Sequence, residues 1–160
     1  MTKPSTETAC RTAATNATMP VGDEDAVPPT EEERPDTPLA VVSEFWRRMA
    51  SNDFASVSAV LAPDFVLEWP QSRERIRGAE RFVAMNAEYP AHGRWVFTVH
   101  RIVGGACDAV SDVSVTDGVQ TARAVSFFTV AGGRIVRMTE FWPEPFAPAA
   151  ERAHLTERME

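Results

Sequence analysis

The segment from 107 to 144 constrains the fold of this chain more than any other. Its sequence, CDAVSDVSVTDGVQTARAVSFFTVAGGRIVRMTEFWPE, alternates apolar and polar residues and contains two pairs of turn residues, Asp117-Gly118 and Gly132-Gly133. Both pairs are typical of two-residue β-hairpin turns, in which the central residues take positive φ. The segment therefore predicts three consecutive antiparallel strands joined by tight turns.

Two-residue turns also fix which residues lie opposite each other. In this register Asp112 faces Arg123, Phe127 faces Met138 and Val125 faces Glu140. Alternate side chains share a face of a sheet. One face then carries large apolar residues around two acids and an arginine: Val110, Asp112, Arg123, Val125, Phe127, Val136, Met138, Glu140 and Trp142. The other face carries smaller residues, including Ala109, Ser111, Ala124 and Ser126. We expect the large apolar face to be covered and the small one to be open.

The composition changes sharply near position 37. Residues 1–37 contain no aromatic residue, no Leu and no Ile, and they carry a net charge of −5. Such a segment cannot bury enough apolar area to offset its ordering entropy. The sequence thus predicts a disordered, acidic, proline-rich tail over 1–37, one domain over 38–145, and a C-terminal tail over 146–160 with helical propensity.

Charge and hydropathy exclude several classes of function. The whole chain has a net charge of −7, so residues 38–160 carry only −2 and lack the basic surface that nucleic acid requires. No apolar run reaches membrane-spanning length, and the N-terminus lacks the pattern of a signal peptide. No His, Cys and carboxylate spacing is typical of a metal site. We therefore predict a cytoplasmic protein without metal, cofactor, nucleic-acid partner or membrane contact.

The residues before the hairpins predict helices and short strands. Thr37-Pro38 is a helix-start signal, and Leu39, Val42, Phe45, Trp46 and Met49 recur at helical spacing. A second short helix follows Asn52-Asp53, a strand covers 65–69, and a third helix begins at Gly78. This order predicts an α+β fold, in which three N-terminal helices pack on a curved, mostly antiparallel sheet as a cone with an apolar interior.

Three stretches resemble the nuclear transport factor 2-like superfamily and, within it, the SnoaL-like polyketide cyclase group. They are VVSEFWRRMASNDFASVSAVLAPDFVLEWP (41–70), IRGAERF (76–82) and FFTVAGGRIVRMTEFW (127–142). The resemblance implies the cone fold over 38–145 and a homodimer formed through the open face of the sheet, where small residues allow flat packing. Members include isomerases, cyclases, dehydratases, epoxide hydrolases and non-catalytic binding modules, so the resemblance alone does not fix the function.

Position-by-position comparison narrows the chemistry that the resemblance implies. Ketosteroid isomerases carry a base, an oxyanion-hole tyrosine and a neutral acid where this chain has Trp69, Phe45 and Val125. Steroid isomerisation is therefore not expected. Limonene-epoxide hydrolases use an Asp–Arg–Asp set, whose acids match Glu140 and Asp112. Their arginine matches Val110, and Arg123 on the adjacent strand is positioned to replace it.

The residues and the resemblance lead to one predicted site and two functions. Asp112, Arg123 and Glu140 are the candidate catalytic residues, with one carboxyl as acid and the other as base. The alternative for these residues is a cross-strand ion pair between Asp112 and Arg123, with Glu140 hydrogen-bonded to a backbone or Trp donor. Seven apolar residues are the candidates for substrate binding: Phe45, Trp46, Trp69, Val125, Phe127, Met138 and Trp142. The first function is cyclisation, isomerisation or epoxide opening of an apolar or polyketide-like compound, and the second is non-catalytic ligand binding or dimeric interaction.

Overall fold

The protein, described by a computed structural model over residues 36–159, is an α+β fold built on one six-stranded sheet. The helices are α1 (Pro38–Ser51), a 3-10 helix (Phe54–Val60), α2 (Ala79–Glu88) and a short 3-10 helix (Ala150–Arg152). The strands are β1 (Leu61–Trp69), β2 (Glu74–Arg77), β3 (Val96–Gly104), β4 (Asp108–Thr116), β5 (Thr121–Ala131) and β6 (Arg134–Phe141). Their order in the sheet is β2-β1-β6-β5-β4-β3. The predicted fold class is confirmed, but of the three expected N-terminal helices the second is a 3-10 helix.

Sheet pairing is mostly antiparallel, as expected from the hairpin signals. Among the strands of the described residues only β1 and β6 run parallel, and this pairing joins the N-terminal strands to the last hairpin. The acidic tail predicted over 1–37 falls almost entirely outside the described residues, and it stays a prediction. In the predicted C-terminal helical segment, the structure forms only the short 3-10 helix Ala150–Arg152 within the described part. None of the helices in residues 36–159 is long and apolar enough to cross a membrane.

Helix α1 begins and ends where its capping residues require. The Thr37 hydroxyl accepts a hydrogen bond from the Ala40 amide at 3.2 Å, and proline occupies the first turn. At the other end Asn52 takes a left-handed conformation with φ of 62°, and its amide donates to the Met49 carbonyl. Such caps satisfy backbone groups that the helix leaves unpaired. Between them, α1 turns Phe45 and Trp46 toward the sheet, and both are buried.

The helices cover the face of the sheet that carries the small residues, so the expectation that they cover the large apolar face is wrong. Ala109, Ser111, Ala124 and Ser126 are all at most 2% exposed. We call this covered side the inner face and the opposite side the outer face. The physical reason lies on α1, because the rings of Phe45 and Trp46 pack edge-on against Phe128 and fill the space above the sheet. Close packing of such large groups requires small side chains opposite them.

The first hairpin is shifted by two residues from the predicted register. Thr116 pairs with Thr121, and Asp112 pairs with Val125 instead of Arg123. The turn contains four residues because the Asp117 carboxylate accepts hydrogen bonds from the amides of Val119 (3.0 Å) and Gln120 (2.7 Å). A shift of two residues keeps every side chain on its predicted side relative to the neighbouring strand.

The second hairpin slips by one residue, and this slip changes the site. Ala131 pairs with Arg134, as the Gly132-Gly133 turn predicts. One extra residue, Val136, then enters β6 as a β-bulge, and beyond it Phe128 pairs with Met138. A one-residue slip moves each following side chain to the opposite face. Met138 and Glu140 therefore lie on the inner face, away from Asp112 and Arg123.

Candidate functional site

A cavity of about 810 Å³ lies between the helices and the inner face of the sheet. Its wall is largely aromatic, and it includes all four tryptophans of the chain. The aromatic lining residues are Phe45, Trp46, Trp69, Phe82, Tyr89, Trp95, Phe97 and Trp142. A cavity of this size with apolar walls is typical of small-molecule sites.

Glu140 is the buried ionisable residue of the cavity wall. It lies near the end of β6, between β5 and β1, and is 5% exposed. From β5 the Ser126 hydroxyl donates a hydrogen bond to Glu140 Oε1 at 2.9 Å, and from β1 the Trp69 indole Nε1 donates to Oε2 at 2.9 Å. The two neighbouring strands thus fix both carboxyl oxygens from opposite sides.

Burial raises the pKa of the Glu140 carboxyl above its ordinary value of 4.5. Hydrogen bonds from the side chains of Trp69, Ser126 and Trp142 act in the other direction but do not cancel the effect of burial. None of the ion pairs within residues 36–159 involves Glu140. A carboxyl that is desolvated and lacks a counter-charge holds its proton at higher pH, which suits it to donate or accept a proton in a reaction.

Asp112 and Arg123 lie on the outer face and do not reach the cavity. Arg123 Nε and Nη2 donate to the two Asp112 carboxylate oxygens, and the Nε–Oδ1 distance is 2.6 Å. The guanidinium lowers the pKa of Asp112, and the two side chains are 29% and 53% exposed. The prediction that Asp112, Arg123 and Glu140 share one covered site is therefore wrong, because the bulge at Val136 turns Glu140 to the other side of the sheet.

The predicted substrate-binding residues divide in the same way. Five of them line the cavity: Phe45, Trp46, Trp69, Met138 and Trp142. Val125 and Phe127 lie on the outer face with Asp112, and Phe127 is 48% exposed. The same bulge explains the division, because the predicted register places Met138 and Trp142 on the same face as Val125 and Phe127, whereas the bulge turns them to the inner face.

Comparison with known proteins identifies the family of this chain. A SnoaL-like domain matches residues 42–138, which is more than half of the chain. The chain belongs to the SnoaL-like domain family. Among curated proteins none matches the sequence. Solved structures do match this SnoaL-like chain, and their names cover several activities.

A candidate ketosteroid isomerase from Kribbella flavida is 34% identical, with a TM-score of 0.72, and the match covers 78% of this chain and 93% of that protein. An epoxide hydrolase of the LEH-like type from M. tuberculosis is 25% identical, with a TM-score of 0.56 and coverage of 68% and 86%. A candidate polyketide cyclase from Sinorhizobium meliloti is 20% identical, with a TM-score of 0.54 and coverage of 62% and 92%, and it supports the fold alone.

Two buried polar residues outside the lining of the SnoaL-like cavity hold its parts in place, and the sequence-based prediction gave neither of them this role. The first is Ser126, which the sequence predicts on the open face, although its small size, shared with its neighbours on that face, is the signal for packing beneath large helix residues. The second residue is Asp117, whose side chain is fully buried. Asp117 Oδ2 accepts hydrogen bonds from the His92 amide (2.9 Å) and pairs with His92 Nδ1 (3.0 Å). It thereby ties the segment between Tyr89 and Trp95, two cavity residues, to the β4–β5 turn.

Proposed function

We propose that this SnoaL-like domain binds an apolar small molecule in its cavity and that Glu140 exchanges a proton with it. The supporting observation is a 95%-buried carboxyl without a counter-charge in an aromatic cavity of about 810 Å³. The reaction is a cofactor-independent cyclisation, isomerisation or epoxide opening of an apolar or polyketide-like compound. The names of the matched structures, which include an isomerase and an epoxide hydrolase, support small-molecule chemistry of this kind.

Glu140 suits either direction of proton transfer. In its protonated form the carboxyl donates to a carbonyl or epoxide oxygen as negative charge develops there. In its ionised form it removes a proton from an acidic carbon. The hydrogen bonds from Trp69 and Ser126 hold the carboxyl in one orientation in both cases. General acid–base catalysis of this kind contributes on the order of 10²–10⁴-fold in rate.

The test uses 5-nitrobenzisoxazole, an apolar compound in which removal of the C3 proton by a base breaks the ring N–O bond and gives a cyano-nitrophenolate. We expect the wild-type chain to accelerate this opening and the Glu140→Gln variant to lose the acceleration. The rate should rise with pH, since the ionised carboxyl is the base. Glu80→Gln, which removes an exposed acid outside the cavity, is the matched control and should keep the wild-type rate. Equal rates for wild type and Glu140→Gln would contradict a proton-transfer role.

A non-catalytic binding module is the second candidate, and the position of Asp112 and Arg123 favours it. Because both lie on the outer face, Glu140 has no second catalytic carboxyl or guanidinium beside it, and its oxygens are already hydrogen-bonded. Native mass spectrometry of the freshly purified chain separates the two functions. A small molecule retained by wild type and by Glu140→Gln, but not by Ala122→Trp, which fills the cavity, supports binding without chemistry.

We also propose that two copies pair through the outer face. Phe127 is half exposed there, and its ring packs edge-on against Phe141 with centroids 6.1 Å apart. Half-exposed aromatic residues on an open sheet are typical of protein interfaces. Analytical ultracentrifugation should find a dimer for wild type and a monomer for Phe127→Glu. A monomeric wild-type chain at micromolar concentration would refute the pairing.

A further inference from the structure

The ionisable side chains that line the cavity are all acidic. Three glutamates line it, with Glu140 buried in the wall and Glu74 and Glu144 exposed. Among the lining residues of the described chain there is no Lys, Arg or His, although the whole chain has 16 basic residues. The potential inside is therefore negative, and a low-dielectric wall screens it poorly.

Aromatic rings that present their faces to a ligand add to this negative potential. The π face of an aromatic ring is its negative side, and tryptophan binds cations more strongly than the other aromatic residues. Trp46, Trp69, Trp95 and Trp142 all line the cavity, together with Tyr89. Recognition of ammonium groups by several rings is a known use of such surfaces.

We propose that the ligand is an apolar organic cation, an amine or ammonium compound whose charged group lies among the tryptophans beside Glu140. This inference rests on the proposed function, which requires a small molecule in the cavity, and it adds the charge of that molecule. A cation supplies the counter-charge that the described chain does not give to Glu140. An anion meets three acidic side chains and no basic group, and a neutral ligand gives the ionised form of Glu140 no counter-charge.

A series of three probes with one apolar body tests the charge preference. They are 4-phenylbutylammonium, 4-phenyl-1-butanol and 4-phenylbutanoate, and the quenching of tryptophan fluorescence measures their binding to the full chain. We expect the ammonium compound to bind at least about tenfold more tightly than the alcohol, and the carboxylate to bind most weakly. If the alcohol binds as tightly as the ammonium compound, the inference is wrong, although a cavity for apolar molecules remains.

The Glu140→Gln variant tests where the charged group lies. We expect it to reduce the ammonium-to-alcohol preference by about tenfold, since one full charge at close range is lost. Binding of the alcohol should remain near the wild-type value, which shows that the cavity is still formed. Glu80→Gln should keep both affinities. An unchanged preference in Glu140→Gln refutes the placement beside this residue, and the absence of binding by all three probes would refute the proposed function as well.

Discussion

Replacing Glu140 with glutamine should remove a pH dependence of stability that runs opposite to ordinary acid denaturation. Glutamine has nearly the same shape and keeps an oxygen that accepts a hydrogen bond, but it does not ionise. Burial raises the pKa of Glu140 in the folded state, whereas the unfolded chain has the ordinary value of 4.5. Below this value the carboxyl is protonated in both states, so it contributes no pH dependence to the free energy of unfolding.

The sign and size of the effect follow from proton linkage. As the pH rises above 4.5, the unfolded chain releases its proton and the folded chain retains it. The folded state then binds more protons, so its free energy of unfolding falls with rising pH. The slope for one group reaches about 1.4 kcal/mol per pH unit and ends above the folded-state pKa. The wild-type chain should show this loss, and Glu140→Gln should not.

The measurement is urea unfolding, followed by tryptophan fluorescence, of both chains across this pH range. Subtracting one curve from the other cancels all groups that titrate equally in both proteins. Glu80→Gln serves as the control, because its exposed carboxyl should leave the wild-type pH dependence unchanged. A flat difference curve would show that the fold does not raise the pKa of Glu140. A difference of opposite sign would show that the cavity stabilises the ionised form, and either result would refute the argument.

Three further substitutions test separate contacts. Trp69→Phe removes the indole donor from Glu140, so the pH-dependent loss of stability should extend to higher pH in the same unfolding assay; an unchanged midpoint would contradict the hydrogen bond. Asp117→Asn should destabilise the turn at neutral pH and speed hydrogen exchange at the His92 amide, and unchanged exchange would count against this contact. Hydrogen bonds lower the pKa of Asp117, so its contribution to stability is fully present above the ordinary pKa of 3.8 and is lost as the pH falls through the lowered pKa. Arg123→Ala should leave probe binding unchanged because its partner Asp112 is on the outer face, and weakened binding would show that the pair influences the cavity.

The sequence is sufficient to predict the α+β class and the boundaries that have local signals. Thr37 and Asn52 delimit α1 through contacts with their own neighbourhood, and the Gly132-Gly133 pair places its turn correctly. These features depend on residues a few positions apart. They are therefore determined by local interactions, which can be predicted from the sequence.

The composition of the site could not be predicted in full, because it depends on two non-local features. The Val136 bulge carries no glycine or other marker in the sequence, yet it reverses the side of Glu140. Which face of the sheet is covered depends on Phe45 and Trp46 of α1, because large side chains pack most closely against small residues on the sheet. The hydrophobicity of the sheet residues alone favours the other face. Of the three predicted catalytic residues, Glu140 lines the cavity, whereas Asp112 and Arg123 lie on the outer face because the bulge breaks the predicted register. A catalytic role for Glu140 stays a prediction.

The single extra residue in the last strand has a consequence for how this cavity evolves. Whether the number of residues between the Gly132-Gly133 turn and Glu140 is odd or even determines whether this acid lies in the cavity or on the outer face. A one-residue deletion there would carry Glu140 to the exterior and bring Thr139 or Phe141 inward, without changing any other residue. Relatives that differ in length at this point should therefore be aligned by the side that their residues face before their acids are equated.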